Sequence, residues 1–171
     1  MNNASGPLTG VQVVDLTTAV SGPVAAVILA DQGADVIKIE PPGGDFMRAT
    51  GPKTGMNPTF VACNRGKRSI VLDLKQQRAA EILWRLIDSA DVLIQNFRPG
   101  AIERLGFGAS AVAARNPGLV YLSISGVGES GPYSGKRVYD PVIQALGGLA
   151  DIQADPQTGR PRMVRTLIAD K

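Results

Sequence analysis

The sequence predicts a doubly wound α/β domain built around a mostly parallel β-sheet. Apolar runs of strand length alternate along the 171 residues with segments of helical period, and most of the 20 glycines and 12 prolines fall in the turns between them. This alternation is typical of βαβ units, in which helices join parallel strands and cover both faces of the sheet. No repeat or interdomain linker interrupts the pattern, so one domain, or a piece of one, is expected.

The first βαβ unit is predicted near the start of the chain. A strand over residues 11–15 leads through a turn of small residues into a helix over 24–30, and a second strand follows over 35–40. Gly33 is placed to cap that helix, because glycine adopts the left-handed conformation at little cost. The prolines and glycines that follow take the chain out of the sheet, and residues 41–57 are expected to form a long loop.

The third strand, over residues 69–73, precedes the most strongly patterned helix of the sequence. The apolar residues of this helix recur at the spacing of one helical face: Ala79, Ile82, Leu83, Leu86 and Ile87. The charged residues Lys75, Arg78, Glu81 and Arg85 take the other face. Asp73 and Gln76 have the spacing of a capping box at the start of the helix.

Two further strands complete the predicted sheet. They are expected over residues 91–96 and 119–124, with short helices over 102–105 and 109–115 between them and a longer helix over 139–149 after them. The resulting topology is Rossmann-like, so a ligand is expected beyond the carboxyl ends of the strands.

The composition excludes several kinds of catalytic and metal site. The chain contains no histidine and one cysteine, Cys63, so it can form neither an intrachain disulfide nor a Ser-His-Asp or Cys-His arrangement. Metal sites that depend on cysteine or histidine are excluded in the same way, and no metal is expected. Catalysis by this chain must therefore use carboxylates, hydroxyls, amines or the backbone.

Charge and hydropathy indicate a soluble, cytoplasmic protein with a small anionic ligand. The 18 basic and 15 acidic residues give a net charge of +3, and the basic residues are mostly scattered, which disfavours nucleic acid. No apolar run approaches the roughly 18 residues of a membrane helix, and the start of the chain lacks the regions of a signal peptide. The glycine fingerprint of dinucleotide-binding proteins is also missing after the first strand, so NAD is not expected.

Four segments, in this order, resemble the family III CoA transferases, also called the CaiB/BaiF family. They are GADVIKIEPPG (33–43), NRGKRSI (64–70), QNFRPG (95–100) and YDPVIQALGG (139–148). The resemblance implies that residues 1–171 are the N-terminal part of a large CoA-binding α/β domain, because members of the family are typically about twice as long. The fold would then be incomplete relative to the family, in which two chains form an interlocked homodimer.

The resemblance also implies a reaction and a catalytic residue. Members of the family transfer CoA from an acyl-CoA thioester to a free carboxylic acid, through an acyl anhydride and a CoA thioester of an aspartate. The matching aspartate here is Asp170, which follows Tyr139 by 31 residues. Taken by position alone, Asp170 would be interpreted as a solvated surface carboxylate.

The remaining site residues are implied by the resemblance to bind CoA. Leu72 and Lys75 would lie near the adenosine, Asn96, Phe97 and Arg98 along the pantetheine and phosphate path, and Arg104 and Arg137 at phosphate oxygens. Ser21 begins a turn whose backbone could receive an anion or a carbonyl oxygen. The residues alone also permit simpler interpretations: Phe97 as part of the core, and Lys75, Arg98 and Arg104 as solvated helix residues.

The sequence departs from the family pattern at two positions. Pro41 stands where a well-known member has an arginine, and Val20 where it has a glutamine. Pro41 cannot make the phosphate contact that the arginine implies, and Val20 cannot make the carbonyl contact that the glutamine implies.

Two alternative functions stay open. The α-methylacyl-CoA racemase branch of the family uses a histidine and an aspartate, but this chain has Tyr139 at the place of the histidine, and a tyrosine is a poor general base at neutral pH. Tyr139 would instead position substrate. The other alternative is a non-catalytic fragment that binds CoA or forms dimers.

Overall fold

A computed structural model describes residues 5–51 and 56–170, and the chain divides into two compact units after Ile124. The first unit contains strands β1 (Gln12–Asp15), β2 (Asp35–Glu40), β3 (Arg68–Val71), β4 (Val92–Gln95) and β5 (Val120–Ser123). Its helices are α1 (Ser21–Asp31), α2 (Pro58–Asn64), α3 (Gln77–Ser89), α4 (Ala101–Arg104) and α5 (Ala109–Arg115), with a 3₁₀ turn at Phe46–Arg48. The second unit contains α6 (Asp140–Leu146) and α7 (Leu149–Ile152).

The five strands form one parallel sheet with the order β3-β2-β1-β4-β5. This arrangement confirms the predicted α/β fold. The chain passes from β1 towards one side of the sheet and later from β4 towards the other side. The loops after β1 and β4 therefore diverge at the carboxyl edge, which is where ligands bind in open sheets of this kind.

Two apolar clusters lie on the opposite faces of the sheet. Because side chains alternate along a strand, Val13 belongs to one cluster and its neighbour Val14 to the other. Ala26 of α1 packs in the Val13 cluster, whereas Leu83 and Ile87 of α3 pack in the Val14 cluster. Helices therefore cover both faces, as the sequence predicts. None of the helices found in the described ranges is long and apolar enough to span a membrane.

The end of α1 confirms the expected role of Gly33. The N–H of Ala34 donates to the carbonyl of Leu29 at 3.1 Å, and that of Gly33 donates to Ala30 at 3.0 Å. This pair of bonds is a Schellman motif, which needs a left-handed residue at its centre. Gly33 supplies it with a φ of +100°.

The predicted capping box at Asp73 and Gln76 is wrong. Residues 73–76 form a turn in which the N–H of Gln76 donates to the Asp73 carbonyl at 2.8 Å. The helix begins one residue beyond Gln76, which occupies the cap position; the Gln76 side chain bonds to Asp73 and does not cap the helix. The spacing of the two residues is thus explained by a turn, which uses the same polar residue types as a helix cap.

Two other predicted segments also differ from the structure. The expected helix over residues 139–149 is divided into α6 and α7, because Gly148 lies between them with a φ of +77°. The predicted loop over residues 41–57 contains the 3₁₀ turn, and its residues 52–55 lie outside the described part of the chain. Helix α2, which follows this loop, was not predicted from the sequence.

Candidate active site

The predicted CoA-binding residues of the first unit follow the carboxyl ends of three strands. Ser21 comes after β1 as the first residue of α1, Leu72 and Lys75 come after β3, and Asn96, Phe97, Arg98 and Arg104 come after β4. Because the strands are parallel, these residues belong to one edge of the sheet. The second unit holds Arg137, Tyr139 and Asp170.

Asn96 connects the loops that follow β1 and β4. Its amide oxygen accepts the N–H of Thr18 at 3.0 Å, and its amide nitrogen donates to the carbonyl of Thr18 at 2.8 Å. The next residue, Ala19, has a φ of +69°, a conformation that costs a residue with a side chain about 1–2 kcal/mol. The two bonds on Thr18 therefore hold the backbone just before this strained residue, at the entry to α1.

Phe97 packs against the core, which is the simpler of the two interpretations that the sequence left open for it. Its ring is half-buried and packs against the core beneath the sheet edge. Its N–H donates to the side chain of Gln95 at 2.7 Å, and that amide donates in turn to Ser123 at 2.7 Å. Core packing and the Gln95 contact thus fix the backbone from which Arg98 projects.

The cations of this edge are exposed. Arg98 lies in the loop after β4 and Arg104 at the end of α4, and both side chains face solvent. The guanidinium of Arg104 lies over Gly100, where a Cβ would come within 3.1 Å of it. Lys75 is also exposed, but it lies in the turn before α3 and not on that helix. Leu72, by contrast, is 7% exposed and forms part of the core.

A buried network of ion pairs lies below the carboxyl ends of β1 and β2, and sequence reasoning missed it. Lys67 Nζ lies 2.8 Å from the carboxylate of Asp15, and Lys38 Nζ lies 3.0 Å from that of Asp45. Lys38 also donates to the carbonyl of Thr17 at 2.7 Å. All four charged side chains are at most 2% exposed. Burial lowers the pKa of Lys67, although Asp15 opposes that effect.

Glu40, at the end of β2, forms a third ion pair, with Arg48. Its carboxylate accepts from Arg48 Nε at 2.7 Å and Nη2 at 2.6 Å, from Ser69 Oγ at 2.5 Å and from the N–H of Asp45 at 2.9 Å. These bonds, led by the one from Arg48, lower the pKa of Glu40 to about 2 in spite of its burial. The signal in the sequence is the presence of charged residues inside apolar strands, where unpaired charges are rare.

The proposed nucleophile, Asp170, lies in the second unit and is partly buried. Burial raises the pKa of its carboxyl, and the negative charge of Asp140 raises it further. Asp140 itself is 3% exposed. Burial opposes the ionisation of Asp140, but hydrogen bonds from Gln144 and from the N–H groups of Ala169 and Ile168 outweigh that effect and lower its pKa.

Tyr139 and Arg137 precede α6 in the same unit. Tyr139 is 69% exposed and its carbonyl accepts the N–H of Val142 at 2.8 Å, so the backbone is fixed while the ring faces solvent. Arg137 is also exposed. The sequence did not single out Asp140 and Gln144, although their spacing of four residues places both on one side of α6.

The second unit also contains an open groove of about 660 Å³ that does not involve the predicted site residues. Its lining is rich in arginine: Asp155, Thr158, Arg160, Pro161, Arg162, Met163 and Arg165. Asp155 forms an ion pair with Arg162 and accepts the N–H groups of Gln157 and Thr158, both at 2.9 Å. The carboxylate of Asp155 thus holds a turn of the backbone.

Comparison with known proteins relates this chain to CoA transferases. It matches CoA-transferase family III over residues 8–171. It is 42% identical to acetyl-CoA:oxalate CoA-transferase of Acetobacter aceti, with 96% of this chain and 43% of that protein covered. It is 40% identical to succinate–glutarate CoA-transferase of Agrobacterium fabrum, with coverages of 99% and 44%.

The solved structures give the same result. The crystal structure of a CaiB/BaiF family protein from Brucella suis superposes with a TM-score of 0.92 at 40% identity, covering 97% of this chain and 45% of that one. The chain therefore spans under half of the length of these relatives. Because the family match extends over almost every residue, this chain belongs to CoA-transferase family III.

Proposed function

We propose that this chain supplies the nucleophile and the CoA-binding edge of an enzyme that transfers CoA from an acyl-CoA thioester to a free carboxylic acid. The observation that supports this most is the environment of Asp170, whose partly buried carboxyl has a raised pKa. A surface aspartate is surrounded by water that it must lose before it attacks a carbonyl carbon. A carboxylate that is already partly desolvated is the better nucleophile.

In the first half of the proposed reaction, CoA moves from the donor to the enzyme. An oxygen of Asp170 attacks the thioester carbonyl, the C–S bond breaks, and CoA leaves as its thiolate with an anhydride left on Asp170. The thiolate then attacks the side-chain carbonyl of Asp170. The donor acid leaves as its carboxylate, and Asp170 is left as a CoA thioester.

The second half repeats these steps with the acceptor acid. Its carboxylate attacks the thioester of Asp170 and releases the CoA thiolate again. The thiolate attacks the acyl carbonyl of the new anhydride, which gives the product acyl-CoA and frees the Asp170 carboxylate. Every bond that breaks is replaced by an equivalent bond and no oxidation state changes, so the steps need neither an oxidant nor a reductant.

The exposed cations of the first unit fit the phosphates of CoA. Lys75, Arg98 and Arg104 follow the carboxyl ends of β3 and β4, and a guanidinium can hold two phosphate oxygens at once. The amide of Asn96 is already bonded to Thr18. We assign Asn96 the role of holding the loop at this edge in place. In the second unit, exposed Arg137 would add charge and Tyr139 would orient substrate.

The cofactor assignment is tested by thermal protection of the chain. CoA should raise the unfolding temperature, and the protection should weaken as salt screens the phosphate contacts, whereas NAD should protect little. Replacing both Arg98 and Arg104 by Ala should reduce the protection. Arg115→Ala is the matched control, because Arg115 precedes β5 and therefore lies at the opposite edge of the sheet. Equal protection by NAD would exclude a CoA-specific site.

The reaction is tested at Asp170 in a full-length protein. In this protein the chain is joined to the part of its relatives that it does not cover. Asp170→Asn keeps the size of the side chain but removes the nucleophilic oxygen, so transfer of CoA should be lost while CoA still binds. Hydroxylamine added during turnover should modify Asp170 of the unaltered enzyme. Near-normal transfer by the Asn variant would refute the proposal, as would exchange of the α-proton of a branched acyl-CoA without transfer.

We also propose that two copies associate, as an interlocked homodimer. Each unit exposes apolar side chains that a partner would cover: Ile28 is 51% exposed in the first unit, and Leu146 and Ile152 are 60% and 79% exposed in the second. Sedimentation equilibrium should therefore show a dimer. A compact monomer that binds no apolar dye would contradict this arrangement.

A further inference from the structure

The segment that carries Asp170 is held by two side chains of α6. One oxygen of Asp140 accepts the N–H groups of Ile168 and Ala169, both at 2.6 Å. Its other oxygen accepts the side-chain amide of Gln144 at 2.6 Å. The amide oxygen of Gln144 accepts the N–H of Val164 at 2.8 Å. Two residues one helical turn apart therefore bind the backbone of residues 164–169.

This segment has no regular structure of its own to fix its position. Residues 164–170 form neither a helix nor a strand, and the contacts with Asp140 and Gln144 tie their backbone to α6. A carboxylate as buried as that of Asp140 is normally unfavourable unless it is hydrogen-bonded. Its three short bonds offset that cost, and the two from Ile168 and Ala169 are lost together if the segment moves.

On the basis of the proposed function, we propose that Asp140 is a positioning residue for Asp170, and that Gln144 orients Asp140. Asp140 fixes the two peptide N–H groups immediately before Asp170 and so determines where the nucleophile stands. Misplacing a reacting group by about 1 Å costs roughly 100-fold in rate, so loss of this contact should lower kcat strongly.

The same contact also affects the charge of the nucleophile. Among the described residues, Asp140 of α6 is the charged group that acts on Asp170, and its negative charge adds to burial in raising the pKa of Asp170. Asp140→Asn removes this charge. The pKa of Asp170 should then fall, and the acid limb of the kcat profile should move to lower pH.

The decisive variant is Asp140→Asn. The new amide group would face the amide nitrogen of Gln144, so two donors would meet unless one side chain turns and breaks its contacts with the backbone. We expect kcat to fall roughly 10- to 100-fold with the KM for acyl-CoA within about twofold. Hydrogen exchange at Ile168 and Ala169 should become faster. Asp140→Glu restores the charge, so the acid limb should return towards its original pH.

Asp155→Asn is the matched control. Asp155 is also a carboxylate of the second unit that accepts two backbone N–H groups, but it holds the turn at Gln157 and Thr158. A purely structural requirement for such a carboxylate would make the two Asn variants equally defective. We expect Asp155→Asn to keep kcat and the acid limb unchanged.

The outcomes separate this inference from the proposed function. If Asp170→Asn is inactive while Asp140→Asn has normal kcat and an unmoved acid limb, the positioning role is refuted and the proposed function stands. If Asp170→Asn is active, the proposed function itself fails. If Asp140→Asn does not fold, Gln144→Leu replaces it, because this change removes one contact to Asp140 and the contact to Val164. A normal kcat in Gln144→Leu would then refute the inference.

Discussion

Glu40 offers a sharp test of the buried ion-pair network. Its side chain is 2% exposed and accepts four hydrogen bonds, of which those from Arg48 lower its pKa the most. We predict that Glu40→Gln removes a stabilisation that depends on pH. The variant keeps the size of the side chain but loses the charge that Arg48 neutralises.

The magnitude follows from the pKa of Glu40. Folding lowers it from 4.5 to about 2. At about 1.4 kcal/mol for each pH unit, this difference corresponds to about 3 kcal/mol of folding free energy at neutral pH. Because the pKa is lowered in the folded state, the contribution is fully present above the unfolded value and is lost as the pH falls towards the folded one. Proton linkage predicts that about 2 kcal/mol of this contribution to the folding free energy is lost between about pH 7 and pH 3.

Urea unfolding of both proteins at several pH values measures this contribution. The difference in unfolding free energy between the unaltered chain and Glu40→Gln should shrink by about 2 kcal/mol from neutral pH to about pH 3. Asp35→Asn is the matched control. Asp35 also forms a bidentate pair with an arginine, Arg68, but the two side chains are 47% and 63% exposed. Exposed pairs of this kind contribute only about 0–1 kcal/mol.

One result would refute this reasoning. A free-energy difference between the unaltered chain and Glu40→Gln that stays constant over the whole pH range would show that the charge of Glu40 is not stabilised by its partners. If the variant does not fold, carbon-13 NMR of the Glu40 carboxyl in the unaltered chain decides the matter. A titration midpoint near the ordinary 4.5 would be incompatible with the bonds described.

Two further predictions concern the loop between β1 and α1. Gly22→Ala should destabilise the chain by about 1–3 kcal/mol in urea unfolding, because the new Cβ would lie 2.4 Å from the buried side chain of Thr17. Gly43→Ala, with no atom within 4 Å of its new Cβ, should change stability by less than about 0.5 kcal/mol; equal effects would contradict the packing described. Asn96→Ala should cost about 1–3 kcal/mol, because both bonds to Thr18 are lost. The same variant should also weaken thermal protection by CoA, and unchanged stability would show that Asn96 does not hold the loop.

Local sequence patterns were sufficient to predict most of the sheet and its main helices. Parallel strands buried on both faces are apolar throughout, and an amphipathic helix such as α3 repeats its apolar residues every three or four positions. Gly33 was predicted correctly for a related reason, since its left-handed conformation ends a helix formed by the residues just before it. Asp73 shows the limit of such patterns, because the same spacing also suits a turn.

The contacts that build the candidate site were decided by the tertiary structure. Lys67 lies 52 residues from Asp15, Asn96 lies 78 from Thr18, and Asp140 lies 29 from Ala169. No local periodicity records which distant residues meet, since that depends on the order and register of the strands. The sequence supplied the fold class and the family motifs, and the family resemblance implied Asp170 as a candidate nucleophile. Only the tertiary structure shows that Asp140 holds the segment before Asp170, because a buried carboxylate is stable only where folding brings hydrogen-bond donors to it.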